Sequence, residues 1–129
     1  MERTVLLVED DDAFARTIEI ALLSIPAVTV IALTSAKEAL RFLDEEVSSM
    51  MAVITDLHMP HMSGFELITR IRAQEHYSKL PIFVVSGDSD PETPIRLRAL
   101  GVNEFFSKPC SAMRIRRRLE ALLRLDFPN

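Results

Sequence analysis

Five residues at four points of the sequence carry side chains suited to handling a phosphoryl group: the acidic pair Glu9-Asp10, the isolated Asp56, Ser86 and Lys108. Three carboxylates brought together repel one another, and some of their pKa values rise unless a cation sits among them. Mg2+ is the natural cation. It takes hard oxygen ligands, keeps several waters, and is held by one or two carboxylates together with phosphate oxygens. Lys108 adds a positive charge, and Ser86 can donate a hydroxyl hydrogen bond to a phosphoryl oxygen without adding charge. Phosphoryl transfer needs little beyond an in-line nucleophile and neutralised oxygens, and a carboxylate can be that nucleophile. Asp56 is the expected acceptor.

These residues can cooperate only if the chain gathers them. Thr4-Val-Leu-Leu-Val8 is an unbroken apolar run that ends abruptly in acids, the signature of a strand buried on both faces whose carboxyl end meets solvent. Short runs rich in Val, Ile or Phe recur at Val28 to Leu33, Met50 to Thr55, Pro81 to Ser86 and Val102 to Ser107. Between them the period becomes helical. Phe14, Ile18, Ala21, Leu22 and Ile25 mark the first helix, and Ala36, Ala39, Leu40 and Leu43 the second. Ser35 with Glu38 and Ser63 with Glu66 form capping-box pairs, and Ser111 opens a last helix bearing Ile115, Leu119, Leu122 and Leu123 before the chain stops at Phe127-Pro-Asn129. The fourth helix is short, with Thr93-Pro94 as its cap and first residue and Gly101 at its close, which leaves Gly87 to Thr93 as a long loop. Five alternating β and α units without an internal linker imply one domain over 1–129: an α/β, doubly wound, five-stranded parallel sheet flanked by five helices. Ligands of such sheets bind beyond the carboxyl ends of the strands, where strand order reverses. Glu9-Asp10, Asp56, Ser86 and Lys108 all fall at that edge.

Composition narrows the remaining classes. A chain of 129 residues, 48% hydrophobic and 26% charged, suits one globular core, and the lone Cys110 cannot form an internal disulfide. No apolar run approaches a membrane span and the opening residues do not form a signal peptide, so a cytoplasmic protein is expected. A net charge of −4 argues against a sequence-independent grip on nucleic acid.

At the chemistry-bearing residues the chain resembles the receiver domains of two-component response regulators. Val8-Glu-Asp-Asp11 is similar to their acidic-pair motif, Asp56-Leu-His-Met-Pro60 with Gly64 to their phosphoacceptor loop, Val85-Ser-Gly87 to their hydroxyl position, and Phe105-Phe-Ser-Lys-Pro109 to their lysine-proline element. The resemblance spans essentially the whole chain. It implies a flavodoxin-like sheet with strand order 2-1-3-4-5. It further implies that Asp10 and Asp56 bind Mg2+ directly, that Glu9 acts mostly through water, and that the main-chain carbonyl of His58 completes the protein ligands. Lys108 would pair with the phosphoryl group, Ser86 would hydrogen-bond it, Pro109 would follow a cis peptide, and Phe105 would be the switch aromatic. The implied donor is a histidine kinase or phosphotransfer protein. The implied output is a change on the face of the fourth helix, fifth strand and fifth helix, read by a partner, an output domain or a second copy. Such a domain catalyses only its own phosphorylation and dephosphorylation.

Several other readings are weaker. Asp56-Leu57-His58 lacks the second acid of an aspartate-nucleophile phosphatase loop, and none of the three glycines makes a dinucleotide fingerprint. His58 and His61, beside Met59 and Met62, have no thiolate or third imidazole for zinc and read as solvated, although His58 could govern water access to an acyl phosphate. Asp11 and Asp12 read as helix N-terminal acids. Arg114, Arg116, Arg117, Arg118 and Arg124 make the last helix basic, with Arg96 and Arg98 nearby, which suits a solvated face or an acidic protein partner and, without a recognition-helix motif, not DNA. A free-standing regulator, a receiver of a longer regulator, and a receiver of a hybrid kinase or phosphorelay all fit the sequence.

Overall fold

An apolar strand such as Thr4–Val8 hides both of its faces only inside a sheet covered on each side, and this is where the chain places it. The computed structural model describes residues 3–45 and 49–126; the side chains of Leu123, Leu125 and Asp126 and the terminal Phe127-Pro-Asn129 lie outside that description. Strands β1 (Arg3–Val8), β2 (Val28–Leu33), β3 (Met50–Thr55), β4 (Ile82–Ser86) and β5 (Glu104–Ser107) form one parallel sheet in the order β2-β1-β3-β4-β5. Helices α1 (Asp12–Leu22), α2 (Ala36–Glu45), α3 (Gly64–Arg72), α4 (Thr93–Ala99) and α5 (Ala112–Asp126) cover it.

Alternation along the strands divides the interior in two. Leu6, Val8, Val53 and Val84 face α2, α3 and Leu97 of α4, while Val5, Leu7, Ile54, Phe83 and Val85 face α1 and α5 through Ile18, Leu22, Ile115 and Leu119. The order reverses at β1, which lies between β2 and β3, so the binding crevice expected of this topology opens beyond Val8 and Thr55.

Some boundaries differ from the sequence expectation. Strand β4 starts at Ile82 because Pro81 has no N–H, although its carbonyl still accepts from Val53 at 2.9 Å. Strand β5 starts at Glu104 because the Val102 amide is used to close α4, donating to Leu97 O at 3.0 Å. Ile25 is buried but lies past the end of α1, before a turn in which Ala27 adopts φ 64°. Thr93 is not the cap of α4. Glu92 occupies that position, Pro94 is second in the helix, and the Thr93 hydroxyl donates instead to Asp88 at 3.0 Å, since an ionised carboxylate is the stronger acceptor. Gly101, at φ 74°, ends the α4 segment as expected. A short 3-10 turn, Glu75–Tyr77, was not foreseen; it buries Tyr77, whose hydroxyl donates to Leu43 O at 2.6 Å.

Candidate functional site

Register brings the site together. Val8 pairs with Thr55 and Ser86 with Ser107, so the residues that follow these strand ends share one rim. The ladders run on into the rim: Asp56 N–H donates to Val8 O at 3.1 Å, Glu9 N–H to Leu33 O at 3.0 Å and Lys108 N–H to Ser86 O at 2.8 Å. Carboxylate oxygens of Glu9, Asp10 and Asp56 lie within 4.8 Å of one another. Lys108 Nζ stands between two of these acids, 3.0 Å from Glu9 Oε1 and 3.0 Å from Asp56 Oδ2, and 4.8 Å above the Phe14 ring. The other Asp56 oxygen, Oδ1, accepts from the amides of Leu57 at 2.6 Å and His58 at 3.3 Å, which fixes the carboxylate plane.

Burial decides how these charges titrate. Glu9 is only 2% exposed, and this burial pushes its carboxyl above the ordinary range despite the hydrogen bonds from Lys108 and the Asp11 amide; the charge of Asp56 adds to the rise. Burial opposes the ionisation of Asp56 too, but there the Lys108 hydrogen bond and charge, together with the two amides, win and hold the carboxyl below its usual value. Burial also works against the Lys108 ammonium, and its two carboxylate partners outweigh that and raise its pKa. The donor set of the three acids is all oxygen, with no sulfur or imidazole among them, which fits a hard divalent cation such as Mg2+.

Local chain geometry supports this arrangement. A Cβ on Gly64 would stand 2.1 Å from Asp56 O and 2.7 Å from Leu57 Cα, so only glycine lets the start of α3 close against the loop that follows β3, where Gly64 N–H donates to Leu57 O at 2.8 Å. The Lys108–Pro109 peptide is cis. Asp11 caps α1 by accepting from the Ala13 and Phe14 amides at 3.1 and 3.2 Å, which orients the acidic loop. Ser86 is fully buried at the end of β4. Phe105, half-buried, packs against the core on the α3 and α4 side and borders a groove of about 150 Å3 with Pro94, Leu97, Arg98 and Val102.

Two expectations are revised. His58 is not simply solvated: its Nε2 lies 2.8 Å from Asp88 Oδ2. The arginines of α5 are not all a solvated face. Arg116 donates to Ala21 O at 2.9 Å and also bonds Ser24; Arg114, Arg117, Arg118 and Arg124 stay exposed, although Arg118 pairs with Glu104 at 2.6 Å and Arg114 lies over the Phe106 ring. Asp88 itself escaped the sequence reading. Its only signal is the Ser86-Gly-Asp88-Ser-Asp90 run, a spacing that favours side chains turning back onto the loop's own amides.

The fold and the rim of acids and lysine point to one class of signalling domain, and known proteins agree. The family model of the response regulator receiver domain matches residues 5–120. The chain belongs to that family. The two-component response regulator ORR1 of rice, Oryza sativa subsp. japonica, is 32% identical over 120 residues, covering 88% of this chain and 52% of that protein, so the chain spans about half the length of this relative. A response regulator receiver protein from Pseudomonas putida is 32% identical with a TM-score of 0.79, covering 97% of this chain and 98% of that one. The receiver domain of a sensor histidine kinase from Pseudomonas aeruginosa, solved with a magnesium ion coordinated in its active site cleft, shares the fold at a TM-score of 0.80 and 24% identity, covering 95% and 98% of the two chains.

Proposed function

We propose that this domain takes a phosphoryl group onto Asp56 from a histidine kinase or phosphotransfer protein and converts it into a change on its α4-β5-α5 face. The observation that carries this reading is the Lys108 ammonium set 3.0 Å from both Glu9 and Asp56, with Asp10 converging on the same point. Glu9, Asp10, Asp56 and the main-chain carbonyl of His58 would hold Mg2+. When bound, the ion neutralises phosphoryl oxygens and the crowded carboxylates.

The chain's own residues supply the rest. The Leu57 and His58 amides hold the Asp56 carboxylate in one orientation, which lowers the entropic cost of in-line attack. In the transfer the donor's P–N bond breaks as an Asp56 O–P bond forms, and the proton that completes the leaving imidazole comes from solvent. Lys108 then exchanges a carboxylate oxygen for a phosphoryl oxygen, and the Ser86 hydroxyl donates to another. Ser86, Val84 and Phe105 belong to one side of the sheet, since Val84 pairs with Phe105 and Ser86 is two residues further along β4. Inward motion of Ser86 therefore opens space toward Phe105, which biases two packings of the α4-β5-α5 face. Phe105 has no hydroxyl, so the change runs through packing alone. The exposed Arg117 and Arg124, with Arg98 beside the Phe105 groove, suit a partner with acidic side chains or a second copy presenting acids.

No helix among the described residues is long and apolar enough to cross a membrane. The domain, taken as one unit over 1–129, would meet its phosphodonor in the cytoplasm. It serves the same chemistry free-standing, in a longer regulator or in a hybrid kinase. The deciding experiment is to incubate the protein with Mg2+ and acetyl phosphate, or with a histidine kinase, and to weigh it intact. Wild type gains one phosphoryl mass and Asp56→Asn gains none. Equal gain by Asp56→Asn, or no gain by wild type from either donor, removes the reading.

A further inference from the structure

The end of the sheet opposite the acidic rim holds a second cavity. Arg3 opens β1, Met50 opens β3 and Pro81 precedes β4, and these neighbouring strand starts border, with the Glu75–Tyr77 turn and the residues after it, a space of about 510 Å3. Small-molecule sites fall at roughly 300–1,000 Å3. The lining is divided by chemistry. Met51, Tyr77 and Leu80 are buried and Met50 half-buried, which gives an apolar floor, and the His76 ring leans on the Tyr77 ring at a centroid distance of 4.3 Å. Above this floor stand Arg3, His76 and Lys79, with Glu75 as the one acid among the described lining residues. Two permanent cations and an imidazole that can donate an N–H thus face an apolar hollow, the reverse of the charge at the rim.

We propose that this cavity is a binding site for a small organic anion carrying an apolar group, and that filling it is felt at the end of α4. Lys79, His76 and Arg3 meet the anionic head, and Met50, Met51 and Leu80 take the apolar body. A cationic ligand meets two like charges there and is excluded. The route to α4 is a set of main-chain carbonyls. Tyr77 O accepts from one Arg72 terminal nitrogen at 3.0 Å, and the same guanidinium donates to Leu100 O and to Gly101 O at 2.9 Å each, where α4 closes. The Tyr77 hydroxyl donates to Leu43 O in α2 at 2.6 Å, so the turn is held at its ring and at its carbonyl. A ligand packed on Tyr77 therefore acts on a guanidinium shared among three carbonyls. Neither half of this inference depends on Asp56 taking a phosphoryl group.

The test is an NMR titration of the isotope-labelled full chain, without Mg2+ or phosphodonor, using benzoate, acetate and benzylamine as probes. Benzoate moves the amide resonances of residues 75–81 saturably, with a Kd of about 1–10 mM, as suits so small a ligand. Acetate has the charge without the body and binds about tenfold more weakly or less. Benzylamine has the body with the wrong charge and moves none of them. Lys79→Ala weakens benzoate about three- to fivefold, the range of one exposed charge pair, while Arg117→Ala, at an exposed cation of α5, leaves it unchanged. No saturable change at residues 75–81, an equal response to acetate or to benzylamine, or equal weakening by the two variants overturns the site. For the link to α4, the Gly101 and Val102 amides, which follow the two carbonyls held by Arg72, move with the same Kd. In Arg72→Lys they lose most of that movement while residues 75–81 still respond. Movement confined to residues 75–81 in wild type, or undiminished at Gly101 and Val102 in Arg72→Lys, overturns the link. No arm uses phosphoryl transfer, so failure here and failure of the mass experiment are told apart.

Discussion

Lys108 serves two carboxylates at once, and its removal exposes what each needs. Lys108→Met leaves Glu9 and Asp56 facing each other without a cation, which costs about 1–2 kcal/mol in metal-free protein, less than for a fully buried pair because the lysine is partly exposed. A divalent ion then meets the same acids without a competing ammonium. Melting curves with and without Mg2+ should show a larger gain for Lys108→Met than for wild type, and a gain in wild type that equals or exceeds it speaks against a metal held by these carboxylates. Gly64→Ala tests packing instead of charge. Its Cβ collides with main-chain atoms that cannot swing aside, so chemical denaturation should reveal a loss of about 3 kcal/mol, with the midpoint lowered and the slope unchanged. Much of this scale was legible in the sequence. The acids, Ser86, Lys108 and Gly64 stand out because their types are costly or unusual at strand ends. Asp88 did not, because one more acid in a polar loop looks like solvent-facing charge until its partners are seen.

Elements were legible wherever a period was long enough to read. The strands β2 and β3 have the limits the apolar runs suggest, and Ser35 meets Glu38 as a cap, its hydroxyl accepting the Glu38 N–H at 3.2 Å. The 3-10 turn at Glu75–Tyr77 is too short to carry a period, and the role of Arg72 depends on residues distant in sequence. Arg72, the last residue of α3, sends Nε to Leu100 O at 2.9 Å, one terminal nitrogen to Gly101 O at 2.9 Å and the other to Tyr77 O at 3.0 Å. It joins three segment ends by satisfying carbonyls that helices leave open. Arg72→Ala should cost about 2–3 kcal/mol, and Arg72→Lys should recover less than half of it, since an ammonium cannot span three divergent carbonyls as a planar fork does. Recovery to wild-type stability by lysine would show that charge alone suffices. At the other end of the sheet, Ala27 holds φ 64° while its carbonyl accepts the first β1 amide, from Arg3, at 2.8 Å. Ala27→Gly should raise stability by about 0.5–1 kcal/mol, the strain relieved being larger than the added chain entropy.

Across the molecule, the sheet separates two apolar layers that do not share side chains. Ile18→Val on the α1 side and Ile68→Val on the α3 side should each cost about 1 kcal/mol, and the double variant should equal their sum to within about 0.5 kcal/mol. A clear departure from additivity would mean that the layers communicate through the strands, which is the property a switch would need at its rim but not at its centre. The partition itself follows from strand alternation and was readable; which helix takes which layer depends on crossover handedness acting with strand order, and only the folded chain displays it. One contact gives this architecture a temporal meaning. The Lys108–Glu9 bridge joins residues 99 positions apart, so the first acid of the rim waits for the last strand. During synthesis the carboxylates emerge long before the lysine, and a nascent or truncated polypeptide that ends before β5 lacks the Lys108 contacts to Glu9 and Asp56. On the proposed reading the site would double as a checkpoint, complete only in a molecule whose last strand has joined the sheet.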